Sequence, residues 1–215
     1  MYQKRSGRYC LVLLLPLLFL SGHLSRAEQE RTIVAFGDSL TSGLGVAANE
    51  AYPAVLERKI KEAGYPYRVV NAGVSGETTA GGLRRVDGVI RSRPDIVILE
   101  LGANDGLRGL DPAQVEKNLS AIITQFRKKN IQVVLAGMKI PPNYGKAYGD
   151  VFERIFPRLA ERYRVRLIPF FLDGVAARTE LNQADGLHPT AKGYQVIVDR
   201  LWPVIEPLLE RRTNR

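Results

Sequence analysis

Short apolar stretches rich in Val, Ile and Leu recur along the chain, separated by longer amphipathic segments. Each stretch is bounded by Gly, Pro or Asn, and runs of this kind are typical of strands buried on both faces of a parallel sheet. The pattern predicts five such strands: Thr32–Phe36, Tyr67–Asn71, Ile96–Leu101, Gln132–Gly137 and Arg166–Phe170.

The amphipathic segments carry the signals that begin and end helices. A helix is predicted over Tyr52–Ala63, since Gly64 follows it. A second is predicted over Pro112–Lys129, since Asp111 can cap it, and Thr190 can cap a helix near the C-terminus. Strands that alternate with helices imply right-handed crossovers. The pattern therefore predicts a three-layer α/β/α domain around a parallel sheet.

The N-terminal region has the layout of a secretory signal peptide. Three basic residues precede an apolar run from Cys10 to Leu20, and Ser25-Arg26-Ala27 offers small residues at the two positions that a signal peptidase reads. The alternative is an uncleaved membrane anchor, but the run is well short of the roughly 20 apolar residues that a spanning helix needs, and it contains Pro16. We expect residues 1–27 to be removed and residues 28–215 to form one exported domain, periplasmic or secreted, without stable membrane insertion.

The predicted cleavage changes the charge of the chain. It removes four basic residues and no acidic residue, which lowers the formal net charge from +9 to +5. The remaining basic residues are interleaved with acidic ones along predicted helix faces, as in 57–62 and 161–164. The sequence has no concentrated basic stripe with aromatic or glycine-rich recognition elements, so we expect no nucleic-acid partner.

Cleavage also limits the possible chemistry, because Cys10 and His23 both lie in the predicted signal peptide. The remaining chain has no cysteine and one histidine, His188. Disulfides, thiol catalysis and a multi-histidine metal site are thereby excluded. We expect neither a metal nor an organic cofactor.

The residues that can carry chemistry lie in loops after the predicted strands, where an open parallel sheet binds its ligands. His188 follows Asp185 in a loop closed by Gly186 and Pro189, and this spacing can bring the carboxylate to the imidazole Nδ1. Such a pair activates a serine, because the carboxylate fixes the tautomer of the base that takes the serine proton. The candidate nucleophile is Ser39, in the glycine-rich loop after the first strand.

Each of these residues also has a structural explanation. Ser39 could cap a helix or satisfy a turn, and His188 could be a core imidazole bonded to a carbonyl. The loop around Ser39 could bind a nucleotide phosphate, but it lacks the Gly-Lys-Ser/Thr ending and the Gly-x-Gly-x-x-Gly spacing. The Gly76 N–H and the Asn104 side chain can donate hydrogen bonds to a developing oxyanion, or the two residues could be present only because they form turns. Their joint occurrence favours catalysis.

Four blocks, in this order along the chain, resemble the conserved blocks of the SGNH, or GDSL, hydrolase family. They are Gly37-Asp38-Ser39-Leu40, Gly76, Gly102-Ala103-Asn104-Asp105 and Asp185-Gly186-Leu187-His188-Pro189. The likeness is strongest to the exported bacterial branch of thioesterases, lysophospholipases and arylesterases. It implies a flavodoxin-like sheet of five parallel strands with the third beside the first. It also implies a Ser39, Asp185, His188 triad and an oxyanion hole formed by the amides of Ser39 and Gly76 and by Asn104.

The resemblance implies a monomeric, cofactor-free esterase or thioesterase that hydrolyses small-molecule or lipid esters, with acyl or aryl groups, through an acyl-enzyme on Ser39. Two alternatives stay open. A carbohydrate O-deacetylase could use the same triad, but a polysaccharide groove needs exposed aromatic platforms, and Trp202 is the one tryptophan. A non-catalytic binding protein could retain only the fold.

Two loops at the expected active-site edge are candidates for the substrate-binding groove. They follow the third and fourth strands and contain Leu107, Ile140 and Tyr144. We expect these three residues to line an apolar acyl or aryl groove, over which glycines could let the first loop close. The alternative is that Leu107 only anchors its loop to the domain.

Overall fold

The computed structural model describes residues 30–210, so the predicted signal peptide lies outside the described residues. The strands are Arg31–Gly37 (β1), Tyr67–Gly73 (β2), Ile96–Glu100 (β3), Gln132–Ala136 (β4) and Arg166–Ile168 (β5). They form one sheet in the order β2-β1-β3-β4-β5, in which every neighbouring pair is parallel. The predicted five-stranded parallel sheet, with the third strand beside the first, is confirmed.

Burial differs between the strands more than the sequence predicted. All residues of β3 are buried, and so are all but the first residue of β1 and of β4. In β2 only Tyr67 is buried, and in β5 only Ile168. The expectation that all five strands are buried on both faces is wrong for these two, because they lie at the edges of the sheet, where helices cover them incompletely.

The helices predicted at Tyr52–Ala63 and Pro112–Lys129 are present, each ending one residue earlier than predicted. The structure has eight α-helices within residues 30–210. They are Ser39–Ser42 (α1), Tyr52–Glu62 (α2), Thr79–Arg91 (α3), Ala103–Leu107 (α4), Pro112–Lys128 (α5), Lys146–Glu153 (α6), Ile155–Tyr163 (α7) and Ala191–Ile205 (α8), with 3₁₀ turns at Pro142–Tyr144 and Glu206–Leu208. Asp111 caps α5 by accepting from the Ala113 N–H, and Thr190 caps α8 by accepting from the Gly193 N–H. Capping side chains satisfy amide groups that have no partner within the helix, which explains these starting points.

The helices form a layer on each side of the sheet. Helix α5 packs between α3 and α7, while α2 packs against α8. Aromatic rings join these layers to the sheet, as where Phe36 of β1 meets Phe126 of α5 edge to face. The predicted three-layer α/β/α architecture is confirmed.

The order of the strands places a crevice beside β1. The chain runs from β1 to β2 on one side and then crosses to β3 on the other, so the loops after β1 and β3 diverge at the carboxyl edge of the sheet. Ligands of open α/β sheets bind at such a switch point. Ser39 follows β1 and Asn104 follows β3, and the paired strand ends Gly37 and Glu100 bring the two loops together.

Candidate active site

Ser39 is the first residue of α1, immediately beyond the carboxyl end of β1. The Asp38 carboxylate caps the helix by accepting from the Leu40 N–H at 3.0 Å. The helix ends after one turn at Gly43, whose φ of 80° is left-handed. Ser39 is 8% exposed. This short turn, held at both ends, sets the position of the serine hydroxyl.

His188 links Ser39 to Asp185. The His188 Nε2 lies 2.9 Å from the Ser39 Oγ, and the His188 Nδ1 lies 2.6 Å from the Asp185 Oδ2. With Nδ1 protonated and donating to the carboxylate, Nε2 carries the lone pair that can accept the serine proton. The three side chains therefore have the geometry of an activated nucleophile, a base and the group that orients the base.

Asp185 is ionised, and its side chain is 45% exposed, so burial opposes its charge only weakly. Its Oδ1 accepts backbone N–H bonds from His188 at 3.0 Å and Leu187 at 2.9 Å. These amides, led by that of His188, together with the His188 imidazole lower the pKa of Asp185 to about 2. The carboxylate can thus orient the imidazole and stabilise its protonated form over the whole neutral range.

The loop that carries Asp185 and His188 is tied to the nucleophile side of the site. The Gln183 side chain donates to the Leu44 carbonyl at 2.7 Å and to the Pro189 carbonyl at 3.0 Å. Asn182 and Pro189 form an isolated antiparallel bridge. These contacts give the histidine a fixed distance from Ser39.

Asn104 and Gly76 lie at the same cavity as Ser39 and His188. The Asn104 Nδ2 donates to the Asp38 Oδ2 at 2.9 Å, which leaves the second hydrogen of that amide for another acceptor. Gly76 has a φ of 77°, and a Cβ there would lie 3.7 Å from the Arg108 guanidinium, so conformation rather than space favours glycine. Gly76 and the Asn104 amide thus border the cavity that Ser39 also lines.

Hydrogen bonds, some buried and one exposed, join the loop that carries Asn104 to the segment that follows Gly76. The Asp105 carboxylate accepts from the Thr79 N–H at 2.8 Å and from the Thr79 hydroxyl at 2.7 Å. Arg108 donates to the Gly76 carbonyl at 2.9 Å. Because Asp105 adjoins Asn104, these bonds fix the position of the Asn104 loop relative to the Gly76 loop.

The cavity in front of Ser39 has a volume of about 680 Å³ and walls that are mainly apolar. Leu107 and Ile140 line it, as expected from the sequence. Tyr144 is not among the lining residues, and its hydroxyl donates to the Leu107 carbonyl at 2.8 Å. Tyr144 thus contacts the segment that carries Leu107 and does not itself line the cavity.

Several other side chains in the cavity wall were not found from the sequence. They are Leu44, Met138, Phe170, Leu172 and Leu187. Leu187 adjoins His188, so its proximity could have been inferred from the loop. The others come from segments far apart in sequence, and no local motif marks them.

No group of three or more His, Cys, Asp or Glu side chains that could hold a metal ion occurs within residues 30–210. In the same range, no helix is both long and apolar enough to cross a membrane.

Comparison with known proteins gives consistent matches. A profile of the GDSL-like lipase/acylhydrolase family matches residues 35–196. The chain is 40% identical over 179 residues to the arylesterase of Vibrio mimicus, covering 83% of this chain and 88% of that protein. It is 37% identical over 196 residues to thioesterase 1/protease 1/lysophospholipase L1 of Escherichia coli K12, covering 91% and 93%. The crystal structure of TesA superposes with a TM-score of 0.81 at 39% identity, covering 83% of this chain and all of that one.

Proposed function

The chain belongs to the GDSL-like lipase/acylhydrolase family, and on that premise we propose that it is a serine hydrolase that cleaves acyl or aryl esters and thioesters through an acyl-enzyme on Ser39. The observation that carries the proposal is the contact series from Ser39 to His188 to Asp185, which opens on a cavity that Asn104 and Gly76 also line. The family resemblance inferred from the sequence is confirmed by the comparisons.

In the proposed first half-reaction, His188 Nε2 takes the hydroxyl proton as the Ser39 Oγ bonds to the acyl carbon. The carbonyl π electrons move onto the acyl oxygen, which the amides of Ser39 and Gly76 and the side chain of Asn104 stabilise. As the tetrahedral intermediate collapses, His188 gives its proton to the leaving alkoxide, aryloxide or thiolate. In the second half-reaction water replaces the serine hydroxyl as the nucleophile, and the same steps release the acid and restore Ser39.

Asp185 supports both half-reactions without exchanging a proton. Its carboxylate holds Nδ1–H and stabilises the imidazolium that forms twice per turnover. Since the pKa of Asp185 is lowered to about 2, it remains charged wherever the imidazole can act as a base.

The cavity walls favour an apolar acyl or aryl group. We propose that Leu107 and Ile140 contact this group, and that Tyr144 holds the Leu107 loop through its bond to the Leu107 carbonyl. Each methylene that the cavity buries would contribute up to roughly 0.8 kcal/mol. Specificity should therefore rise from acetyl toward medium-length acyl esters.

The carbohydrate deacetylase alternative gains no support from the wall of this cavity. Trp202 lies on α8, next to Tyr65 and beneath Lys59, and it is not among the residues that line the cavity. Phe170 is the aromatic residue in the wall. An apolar acyl or aryl substrate fits this surface better than a polysaccharide that stacks on aromatic platforms.

The site of action and the oligomeric state belong to the same proposal. We infer that cleavage after residue 27 yields an exported, monomeric enzyme, periplasmic or secreted, formed by residues 28–215. The arrangement of charged, apolar and small residues in 1–27 supports export. N-terminal sequencing of the protein recovered from each cell fraction tests this inference.

The decisive experiment measures kcat/KM for p-nitrophenyl esters with acyl chains of two to twelve carbons. We expect a maximum at medium length in the parent, loss of turnover and of fluorophosphonate labelling in Ser39→Ala, and a selective loss on longer chains in Leu107→Ala. Leu110→Ala is the matched control, because Leu110 is 40% exposed in the same loop and does not line the cavity. Tyr144→Phe, which loses the bond to Leu107, should weaken the preference for longer chains.

Two results would contradict the proposal. Labelling or turnover that persists in Ser39→Ala would exclude Ser39 as the nucleophile. An acetyl optimum, with the same chain-length profile in Leu107→Ala, would exclude the apolar groove and favour the deacetylase alternative.

A further inference from the structure

Glu100, the last residue of β3, has its carboxyl group in the core beneath the nucleophile. The residue is 0% exposed. Its Oε2 accepts from the Thr41 hydroxyl at 2.6 Å and from the Asp38 N–H at 3.4 Å, while its Oε1 has no hydrogen-bond partner. Within residues 30–210 no Lys, Arg or His forms an ion pair with it. An ionised carboxylate here would be buried without a counter-ion and with one oxygen unpartnered, which is strongly unfavourable.

Asp38 is a second buried carboxyl group beside Glu100, and its contacts differ. Its Oδ1 accepts from the Leu40 N–H at 3.0 Å and its Oδ2 from the Asn104 amide at 2.9 Å. Both oxygens therefore receive a donor, as a carboxylate requires. Burial raises the pKa of Asp38 to about 6. Burial, followed by the nearby charge of Asp38, raises the pKa of Glu100 well above its usual value.

The groups that face this pair come from four elements. The Tyr52 hydroxyl of α2 lies 3.5 Å from the Thr41 hydroxyl oxygen, and Tyr194 of α8 donates to the Leu40 carbonyl at 2.9 Å. Burial raises the pKa of both tyrosines, so both remain neutral. His188 of the catalytic loop faces Asp38, and Arg85 of α3 donates to the Gly37 carbonyl at 3.0 Å. Neither His188 nor Arg85 forms an ion pair with Glu100.

The backbone makes room for the Glu100 carboxyl group. A Cβ added to Gly37 would lie 2.5 Å from the Glu100 Oε2 and 2.0 Å from the Thr41 hydroxyl oxygen. The glycine before Asp38 is therefore required by close approach of these side chains. An apolar residue of similar size would be cheaper to bury than an acid with an unpartnered oxygen, so stability does not explain Glu100.

We propose that Glu100 is a positioning residue for the oxyanion hole: it accepts from the Asp38 N–H and the Thr41 hydroxyl, which holds Asp38 in place, and it stays a neutral acid, so that Asp38 alone carries the negative charge that orients the Asn104 amide toward the acyl oxygen. This inference rests on the proposed function. If Glu100 ionised, its charge would favour protonation of Asp38. Protonated Asp38 would lose the charge-assisted bond to Asn104, and the donor would lose its orientation.

The kinetic arm of the test compares Glu100→Leu with Glu100→Gln. E100L is neutral too, but it removes the acceptor of the Asp38 N–H and the Thr41 hydroxyl, so Asp38 is no longer held in place. We expect E100L to lower kcat by about ten- to a hundredfold with KM within about twofold, because the Asn104 donor that Asp38 orients acts mainly in the transition state. E100Q keeps a neutral planar group that accepts from Thr41, so it should recover most of the kcat that E100L loses and leave the acid limb of the pH profile in place. Glu57→Gln is the matched control, because it makes the same substitution in α2, at a glutamate that pairs with Lys61.

The spectroscopic arm tests the protonation state directly in the intact protein. At neutral pH the infrared spectrum of the parent should contain the carbonyl stretching band of a protonated carboxylic acid. This band should be missing from E100Q and present in E57Q. This band tests the protonation state of Glu100, and the split between kcat and KM in E100L tests its positioning role. If E100L fails to fold, this comparison and the E100Q pH profile decide the proposal.

The outcomes separate this inference from the proposed function. Hydrolysis that depends on Ser39 but is unaffected by E100L would overturn the positioning role alone. If the parent and E100Q show the same carbonyl stretching band, or if the acid limb of the pH profile moves in E100Q, Glu100 is ionised in the parent. Either result would also overturn the positioning role. A parent protein that hydrolyses no ester or thioester would overturn the proposed function itself.

Discussion

The bond between Asn104 and Asp38 allows the proposed oxyanion hole to be tested by a double-mutant cycle. The Asn104 Nδ2 lies 2.9 Å from the Asp38 Oδ2, so one amide hydrogen is used by Asp38 and the other is left for the substrate oxygen. Asn104→Ala removes a donor that acts chiefly in the transition state. We expect kcat to fall by roughly 10² to 10³, about 2.7 to 4 kcal/mol, with KM within about twofold.

Asp38→Asn changes the orientation of that donor and keeps its side-chain volume. Asparagine caps helices as well as aspartate does, so it can still accept from the Leu40 N–H and hold α1. The NH₂ group of the new asparagine then faces the NH₂ group of Asn104, so two donors meet. If the asparagine side chain rotates by 180°, its NH₂ group faces the Leu40 N–H instead, and again two donors meet. We expect a loss of about tenfold or more in kcat, about 1.4 kcal/mol, and no greater than the loss in Asn104→Ala.

The double variant gives the decisive value. If Asp38 acts only through Asn104, D38N should cost almost nothing in the N104A background, so the coupling energy should equal the whole loss in D38N. The assay is kcat and KM for one p-nitrophenyl ester, with the concentration of active sites measured by fluorophosphonate titration. Additive losses would mean that Asp38 acts on Ser39 or α1 instead. A raised KM with unchanged kcat in N104A would refute the oxyanion role.

Three further predictions follow from the same contacts. His188→Ala should lower kcat by roughly 10⁴ to 10⁶ with an unchanged circular dichroism spectrum, and near-normal activity would refute the triad. Because the pKa of Glu100 is raised in the folded state, Glu100 loses its proton in the unfolded chain at lower pH than in the folded protein, and the parent loses stability as pH rises between the two values. E100Q has no such proton, so in this pH range its free energy of unfolding should rise relative to that of the parent by about 1.4 kcal/mol per pH unit. Urea unfolding at several pH values measures this difference. A pH-independent difference would mean that Glu100 ionises as usual in the folded state. Gly37→Ala should destabilise severely, since its Cβ would lie 2.0 Å from the Thr41 hydroxyl oxygen, whereas Gly149→Ala in α6, with nothing within 4 Å, should be neutral or stabilising in thermal unfolding.

Local pattern in the sequence located the five strands and the helices α2, α5 and α8 of this protein. The apolar runs located all five strands, because β-branched and other apolar residues are concentrated in strands, even at the edges of the sheet. Asp111 and Thr190 located the starts of α5 and α8, because a capping side chain acts on amides two or three residues away. The pairing of Asp185 with His188 was predictable for the same reason, since a single turn of backbone joins them.

The catalytic assignments from the sequence rested on joint occurrence and family resemblance. No local rule brings Ser39 near His188, which is far away in the chain. The structure places the two side chains 2.9 Å apart because both loops emerge at the carboxyl edge of the sheet. Their catalytic roles stay a prediction that the variants above test.

Features that depend on the strand order and on packing were decided by the tertiary structure alone. The sequence treated β2 and β5 like the central strands, although their edge positions leave them partly exposed. It placed Tyr144 in the groove, whereas the structure bonds its hydroxyl to the Leu107 carbonyl. It treated Glu100 as one more strand residue, because nothing local shows that the end of β3 faces Gly37 and the Asp38 carboxyl group. Sequence patterns report interactions between neighbours in the chain, whereas burial and the environment of a charge depend on contacts between residues that only the folded sheet brings together.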